Sequence, residues 1–398
     1  MSKDLEKTKD YLEEKVKLQI SVIGIGNAGN QIIEKAHASG FDVFAINSSL
    51  KDLSDAVVNE TIPSFIAGDE ARGAGKNRDK SKELFKINGK KLFETPKFSD
   101  MVEGSDIVFV VASTAGGTCS GIAPVLINLF NQIYPNKIII FYGIVPKKSD
   151  SIMAQNNTVQ CMDEINHEKI PYMLADLAYY EDIPNDVAYA DIAKHVINSI
   201  EVISGKFLHQ STSGMIDEND MRVIVSEPGY MSVYALDKVT PAQVDKASIQ
   251  SYMIGLIKNS PAAPIQRDEI VKELGVIVNC PEEMMEASKT GNYNELTNYV
   301  GVPLSIFENY SVNNAAFGQF IVLMSGMNLP YTRIMECKAK IEEHAEKLKR
   351  VKEIDLSADA SELDFLNDHK NASKLVNTSK ETVDEKNKKS VLDGFFKS

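Results

Sequence analysis

Compact apolar runs alternate with amphipathic segments along residues 18–145 of the chain. Four runs, at residues 18–25, 42–46, 107–112 and 138–145, have the length and composition of buried strands. Helical spacing of apolar positions follows two of them, at residues 30–39 and 122–132. Strands that alternate with helices predict an α/β fold, Rossmann-like, in which a parallel sheet carries helices on both faces.

The pattern of apolar positions changes near residue 186. Residues 186–208 place Ile192, Val196 and Ile200 on one stripe, which predicts a long central helix. Apolar segments recur between residues 223 and 324, and they predict a smaller C-terminal α/β domain. Residues 332–355 then predict a strongly charged helix.

Both ends of the chain are polar. Residues 3–18 are charged and have helical spacing, which predicts a short leading helix. Residues 356–398 are rich in Ser, Asn, Lys and Asp and have few aromatic side chains, a composition typical of a disordered tail. The tail ends in an apolar stretch at residues 391–396, which we interpret either as a docking peptide or as an incidental terminus.

Charge and cysteine usage narrow the functional class. A net charge of −13 argues against nucleic-acid binding by the body of the protein. No apolar run reaches the roughly 18 residues of a membrane span, and the charged start argues against secretion. The four cysteines lack CxxC spacing and the six histidines are scattered. We therefore expect reduced thiols in a cytoplasmic protein, with no disulfide framework and no metal cluster.

A glycine-rich loop follows the first predicted strand and opens the first helix. Residues 24–29 match GxGxxG, the dinucleotide-binding fingerprint, in the strand–loop–helix context that it requires. The glycines let a phosphate approach backbone N–H groups at a helix N-terminus. The second strand, however, ends at Asn47 without the acid that holds a ribose in NAD enzymes. This weakens the interpretation as an NAD-dependent oxidoreductase.

Two further glycine stretches favour a triphosphate over a dinucleotide. Residues 113–121 offer glycines and hydroxyls between a strand and a helix, which predicts a second phosphate cradle. Residues 73–77 lie between the two loops in sequence and can close over the terminal phosphate, with Lys76 as a counter-charge. The motif GxxxxGK[ST] does not occur, so the chain is not a P-loop protein.

The three loops resemble those of the tubulin/FtsZ superfamily. Residues 115–121 read Ala-Gly-Gly-Thr-Cys-Ser-Gly, similar to the superfamily signature GGGTGSG or GGGTGTG, with Ala115 and Cys119 in place of two glycines. The motifs occur in the superfamily's order, and the likeness covers roughly residues 18–325. The late charged helix, the tail and the acidic stretch at residues 214–220 resemble the TubZ branch, the plasmid- and phage-encoded tubulin-like proteins.

This resemblance implies a fold and a domain plan. The implied fold is that of tubulin and FtsZ, a Rossmann-like GTPase domain joined by a long central helix to a smaller α/β domain. The boundaries that we expect are an N-terminal helix at residues 1–17, a GTP-binding domain at 18–185, the central helix at 186–214, a C-terminal (activation) domain at 215–330, a C-terminal helix at 331–355 and a disordered tail at 356–398.

The resemblance also implies GTP and GDP as ligands. Mg²⁺ would arrive with the triphosphate and keep several waters, with Asn47 and the loop hydroxyls as outer-shell contacts. The residues assigned to the nucleotide in the loops are Gly24, Gly26, Asn27, Ala28, Gly29, Asn30, Gln31, Asn47, Gly75, Lys76, Asn77, Ala115, Gly116, Gly117, Thr118, Cys119, Ser120 and Gly121.

Sugar and base contacts are implied less directly. Asp150 falls where the family often places an acid on the ribose hydroxyls. Leu177 stands at the position of the usual base-contacting Asn, which leaves Asn185 or Asp176 as substitutes. Asp191, near the start of the central helix, can accept hydrogen bonds from guanine; the alternative is a solvated acid on a helix face.

The implied catalytic acids are Asp217 and Asp220. In this family hydrolysis is completed by acids from the next subunit of a filament, and these two residues match them. A carboxylate can orient and polarise an attacking water. From the residues alone, Asp217 as a helix N-cap and Asp220 as a first-turn acid are the simpler interpretation. With the resemblance we expect catalysis.

The function implied by the resemblance is that of a GTPase activated by self-assembly into dynamic head-to-tail filaments. Such a filament would segregate plasmid or phage DNA through a TubR-like DNA-binding adaptor protein on centromere DNA, which the tail would meet. The alternatives are an FtsZ-like cell-division protein, the NAD-binding oxidoreductase, and a nucleotide-binding regulator that never polymerises.

Overall fold

The structure is a computed structural model of the 398-residue chain. It describes residues 18–53, 62–68, 74–244, 248–265, 270–289, 293–354 and 385–397. The predicted leading helix at residues 1–17 lies outside this part of the chain.

One ten-stranded sheet organises the described residues, in the order β3-β2-β1-β4-β5-β6-β7-β10-β8-β9. Strands β1 to β6 are parallel, as predicted for the first half. Except in the edge strand β3, nearly all their side chains are buried on both faces, which is why the sequence shows apolar runs instead of alternation. The strands are β1 (Ile20–Ile25), β2 (Asp42–Asn47), β3 (Ser64–Ile66), β4 (Ile107–Ser113), β5 (Ile138–Val145), β6 (Pro171–Asp176), β7 (Gly229–Val239), β8 (Glu273–Cys280), β9 (Ser305–Val312) and β10 (Gly318–Met327).

Helices cover both faces of the sheet. One apolar layer packs α1, α7 and α8 against it, and the opposite layer contains the other helices. The helices are α1 (Gly26–Ala38), α2 (Arg78–Asn88), α3 (Lys90–Phe93), α4 (Pro96–Gly104), α5 (Gly117–Ile133), α6 (Ile152–His167), α7 (Asn185–Ile203), α8 (Glu218–Ser226), α9 (Pro241–Val244), α10 (Ile249–Lys258), α11 (Glu282–Ser288), α12 (Asn294–Val300), α13 (Tyr331–Ile354) and α14 (Glu385–Lys397). The predicted α/β fold with helices on both faces is confirmed.

The C-terminal half extends the same sheet. Strand β7 pairs in parallel with β6 only at its start, through Pro171↔Gly229 and Tyr172↔Tyr230, and then pairs antiparallel with β10. Strands β8 and β9 complete this half at the far edge. The expected boundary between two domains thus falls within a continuous sheet, and the boundaries themselves remain a prediction.

The central helix is shorter than its apolar pattern suggested. Helix α7 begins at Asn185 and ends at Ile203, whereas we predicted a helix over residues 186–208. Gly205, two residues beyond the end, has a φ of +81°, which is a left-handed conformation that favours glycine and stops a helix. The apolar residue Leu208 lies beyond the end of the helix but is buried, so it still packs in the core as its place in the apolar pattern suggested.

The tail prediction is wrong for its last part. Residues 385–397 form helix α14, while residues 355–384 lie outside the described chain. The apolar positions of the tail, which include Leu392 and Phe396, share one side of this helix and pack against the N-terminal half of the sheet and its helices. A composition average over residues 356–398 conceals such a short amphipathic helix, because polar residues outnumber its few anchors.

None of the described helices combines sufficient length with sufficient apolar character to cross a bilayer.

Candidate nucleotide site

The first two glycine loops start side by side at one edge of the sheet. Strands β1 and β4 are parallel neighbours, and Ile25 at the end of β1 pairs with Ala112 near the end of β4. Helices α1 and α5 begin directly afterwards, and neither receives a hydrogen bond from a capping side chain at its first turn. Their backbone N–H groups and positive dipole ends therefore form an anion cradle between them.

The first loop depends on glycine for close backbone approach. A Cβ atom on Gly24 would lie 2.6 Å from the carbonyl oxygen of Gly29, and one on Gly29 would lie 2.4 Å from that of Val111. Gly26 has a φ of +69°, so the turn itself also requires glycine. Asn30 is buried here, while Asn27 and Gln31 are exposed and Ala28 is half-buried.

The second and third loops are in direct contact. A Cβ on Gly117 would lie 2.5 Å from the carbonyl carbon of Lys76 and 2.6 Å from the amide nitrogen of Asn77. The Ser81 hydroxyl donates to the carbonyl oxygen of Gly117 at 2.7 Å. The expected meeting of residues 75–77 with residues 115–121 is thus present, although residues 69–73 lie outside the described chain.

Cys119 explains one departure from the family signature. Its thiol donates to the carbonyl oxygen of Ile25 at 3.1 Å, and a Cβ on Gly26 would lie 2.4 Å from its sulfur. The sulfur therefore fills the space above Gly26 and joins the second loop to the first. Burial raises the pKa of the Cys119 thiol to about 11, so the side chain stays protonated near neutral pH.

Helix α6 holds the second and third loops together, which we had not predicted. The Asn157 amide donates to the carbonyl oxygens of Lys76, at 3.1 Å, and Ala115, at 3.0 Å, and the residue is 1% exposed. Arg78 donates to the carbonyl oxygen of Ser120 at 2.9 Å and forms an ion pair with Glu164 of α6, also at 2.9 Å. The sequence signal was the polar run at residues 155–158, which is buried although polar.

Hydroxyl and amide groups line the site next to the second strand. The hydroxyls of Ser48 and Thr118 lie 2.6 Å apart, and the Asn47 side chain accepts from the Ser48 amide at 2.8 Å. Ser120 uses its hydroxyl to donate to the carbonyl oxygen of Gly116 at 2.6 Å. Hydroxyl and amide oxygens of this kind can accept hydrogen bonds from the waters that surround a hard cation such as Mg²⁺.

The residues that we expect to contact the sugar and the base lie in the turn after β5 and in helix α7. Asp150 accepts from the Lys147 amide at 2.8 Å, which closes the turn after β5. Asn185 is the first residue of α7 and is exposed. Asp191 accepts from the Tyr180 hydroxyl at 2.5 Å. A residue that we did not single out, Tyr189, lies close to Ser113 and Asp150, and burial raises the pKa of its hydroxyl to about 12.

Asp176 has a structural role instead of the base contact that we left open for it. Its carboxylate receives the Arg333 guanidinium at 2.9 Å, and both side chains are almost fully buried. Arg333 also donates to the carbonyl oxygen of Pro146 at 2.5 Å. Helix α13 is thereby fastened to the end of β6 and to the start of the turn that carries Asp150.

Asp217 and Asp220 begin helix α8 as a reciprocal capping box. The Asp217 carboxylate accepts from the Asp220 amide at 2.8 Å, and the Asp220 carboxylate accepts from the Asp217 amide at 3.1 Å. The simpler interpretation of the two acids, as helix caps, is therefore realised. One oxygen of each carboxylate serves the cap, so the arrangement leaves the second oxygen for a water molecule.

The two acids lie at the opposite end of the sheet from the glycine loops. Arg222 of α8 forms an ion pair at 2.7 Å with Asp106, the residue before β4, whose other end carries the second loop. Seven residues of strand separate those ends, a span of about 20 Å. The acids of one chain therefore cannot reach the loops of the same chain.

Comparison with known families matches residues 19–170 to "Tubulin/FtsZ family, GTPase domain". The matched segment contains all three glycine loops. Residues 19–170 are therefore similar to the GTPase domain of that family, and we refer to them below as the GTPase domain. The resemblance stated from the sequence is confirmed, and members of this family are GTPases that bind GTP and GDP.

Several known proteins are similar to this chain over most of its length, and TubZ proteins are among them. The chain is 24% identical over 394 residues to the tubulin-like protein TubZ of Clostridium botulinum C phage, which covers 96% of this chain and 99% of the phage protein. A solved TubZ of Clostridium botulinum phage c-st, truncated at its C-terminal tail, aligns with a TM-score of 0.65 at 22% identity, over 83% of this chain and 99% of that one. A GTPγS-form protofilament of TubZ from Bacillus thuringiensis serovar israelensis aligns with a TM-score of 0.70 at 15% identity, over 88% and 99% of the two chains. The tubulin/FtsZ fold is thereby confirmed.

Replacing Asn157 by Leu tests the brace between the loops of the GTPase domain. The variant loses two hydrogen bonds, each worth about 0.5–1.5 kcal/mol, and we expect GTP affinity to fall roughly tenfold because the loops are no longer held together. Titration with a fluorescent GTP analogue measures this. Asn131→Leu is the control, because it removes a 3.2 Å hydrogen bond to the Glu168 carbonyl oxygen away from the loops. Equal losses of affinity in both variants would contradict the brace.

Replacing Asp176 by Ala tests the buried ion pair. We expect the free energy of unfolding to fall by about 3–5 kcal/mol, because the buried Arg333 then keeps only a 3.6 Å ion pair with the partly exposed Glu336. The double variant Asp176→Leu/Arg333→Met removes both charges and should lose much less. Urea denaturation measures both. A double variant as unstable as the single one would show that packing, not charge, sets the loss.

Proposed function

We propose that this chain is a cytoskeletal GTPase that polymerises head-to-tail and hydrolyses GTP at the joints between subunits. The observation that carries the proposal is the separation of the glycine loops from Asp217 and Asp220 by the length of strand β4. A nucleotide on the loops of one copy can meet these acids only if a second copy brings its opposite end. Such a contact is heterologous and does not close, so its repetition gives a filament.

The nucleotide would lie across the ends of β1, β4 and β5. The uncapped N-termini of α1 and α5 suit the phosphates, and the loop of Gly75, Lys76 and Asn77 borders them. We assign Asp150 to the ribose hydroxyls and Asp191 to the N1 and N2 groups of guanine. We propose GTP as the substrate because of the family match and of these two acids.

Magnesium is part of this proposal. The groups that would hold its water shell are the Asn47 carboxamide and the hydroxyls of Ser48 and Thr118; Asn47 and Ser48 are buried, and Thr118 is half-buried. When bound, Mg²⁺ neutralises charge on the triphosphate. The residues themselves would position the phosphates and the waters around the ion.

Hydrolysis would be completed by Asp217 and Asp220 of the adjoining copy. The capping box fixes both carboxylates at the first turn of α8, and the preceding segment is held to the sheet by the bridge between Ser213 and Tyr310. Each carboxylate can then accept a hydrogen bond from the attacking water and orient it towards the γ-phosphate. Because the acids come from a second chain, turnover should require assembly.

The cellular role that we propose is segregation of plasmid or phage DNA, because the chain is similar to phage TubZ over almost its full length. With a net charge of −13, the body is unsuited to binding DNA directly, so a TubR-like basic adaptor on centromere DNA would provide that contact. The similarity to archaeal FtsZ covers about half of this chain, which makes cell division the weaker candidate.

Replacing Asp217 and Asp220 by Asn separates catalysis from capping. Asn still accepts a hydrogen bond at an N-cap, so we expect folding, GTP binding and assembly to persist, while phosphate release falls at least a hundredfold and filaments lengthen. Phosphate release and sedimentation measure the two effects. Asn219→Ala, in the same exposed turn, is the control and should keep its activity. Normal phosphate release by the Asn variants would overturn the catalytic assignment.

Mixing two inactive variants tests whether the acids act in trans. The first chain carries Asp217→Asn and Asp220→Asn, and the second carries Gly116→Val, which places a branched side chain in the second loop, directly before helix α5. A Cβ on Gly116 has its nearest neighbour at 3.4 Å, so the variant should fold but bind GTP poorly. We expect partial GTPase activity only in the mixture. If the two variants sediment together and the mixture is still as inactive as each variant alone, the acids do not act on the GTP of a neighbouring subunit.

A further inference from the structure

Helix α14 returns to the GTPase domain and covers part of its surface. We call this surface the tail site and define it by Phe85, Gly89, Lys90, Glu103 and Tyr134. Leu392 is 7% exposed, and the rings of Phe396 and Phe85 meet edge to face with their centroids 6.2 Å apart. A Cβ on Gly89 would lie 3.0 Å from the Phe396 ring, so glycine makes room for that ring.

Two ion pairs fix the direction in which α14 lies on the tail site. Lys90 of the site pairs with Asp393 at 2.6 Å, and Glu103 of the site pairs with Lys388, also at 2.6 Å. The Lys388 ammonium also lies 4.9 Å from the centroid of the Tyr134 ring. The site thus presents one positive and one negative group to a helix that carries the opposite charges at the matching positions.

Chain connectivity does not restrict α14 to the tail site of its own chain. Thirty residues separate the end of α13 at Ile354 from the start of α14 at Glu385. A segment of that length can span up to about 100 Å, whereas a folded body of this size has a diameter of about 50 Å. The tail site of an adjacent copy is therefore within reach.

The docked contact is modest in strength. A fully buried Leu or Phe side chain contributes about 1.5–3 kcal/mol, and Phe396 and Phe395 are only partly buried. Partly exposed ion pairs contribute about 0–1 kcal/mol each. Such a helix remains bound because the tether keeps it at an effective concentration in the millimolar range, and a neighbouring chain held alongside offers a comparable concentration.

We propose that the tail site is an interaction surface for a second copy of this chain, filled by α14 of that copy in exchange for its own. Exchange of an identical element preserves every contact and therefore has a low energetic cost. The swapped tails would link copies side by side independently of the nucleotide joint. The proposal does not depend on GTP hydrolysis. It can therefore be tested with GDP, under conditions in which no filaments form.

Complementary charge reversal tests this exchange in the full-length chain. The site variant carries Lys90→Glu and Glu103→Lys, and the tail variant carries Lys388→Glu and Asp393→Lys. Within either variant both ion pairs become repulsive, so α14 should leave its own site. In an equimolar mixture each tail finds a site of opposite charge only on the other chain. We expect the mixture to sediment at twice the mass of one chain, and each variant alone to sediment at the mass of a monomer.

A fourfold variant with all four changes in one chain is the folding control. It restores both ion pairs within the chain, so it should be monomeric, and the α14 amides should be as protected from hydrogen exchange as in the wild type. A mixture that stays monomeric would overturn the exchange. A fourfold variant without protected α14 amides would also overturn it, because the ion pairs would then not hold the helix. We expect the fourfold variant to have wild-type GTPase activity. In that case, a failure of the tail exchange would not count against the proposed GTPase function.

Discussion

Close contact between three backbone loops is the constraint on which the nucleotide site depends. A Cβ atom at Gly24 or Gly117 would overlap main-chain atoms of the same or a neighbouring loop, and one at Gly29 would overlap the main chain of strand β4. The loops can approach only because these side chains are missing, and the approach brings two uncapped helix N-termini together. Cys119 and Asn157 then join the loops in pairs, the first with its sulfur and the second with a carboxamide that satisfies two carbonyl oxygens.

The same geometry gives the molecule a polarity. Parallel strands place all their carboxyl ends at one edge of the sheet, so the loops gather there. Helix α7 then leads the chain to the opposite edge, where α8 starts with Asp217 and Asp220 and is tied to Asp106. A binding edge and an acidic edge on opposite sides of one sheet are what a head-to-tail GTPase needs, and our functional proposal rests on that polarity.

The C-terminal elements turn back onto the GTPase domain at two places. Arg333 of α13 binds Asp176 and the carbonyl oxygen of Pro146, so the late helix supports the turn that carries Asp150. Helix α14 covers α2 and α5, whose first turns contact the second and third loops. Both contacts join segments that are far apart in sequence.

Much of the fold and of the loops could be read from the sequence, because their signals are local. Glycine spacing at residues 24–29 and 115–121 and buried apolar runs depend on neighbouring residues alone, and they determined the α/β fold and the phosphate cradle. Asn157, Arg333 and α14 were missed because each acts on residues about 40 to 300 positions away, and single polar or apolar side chains carry no signal of their partners. Asp217 and Asp220 show the difference most clearly: the sequence determined their spacing as caps, and only the tertiary structure placed them at the edge that faces away from the chain's own loops.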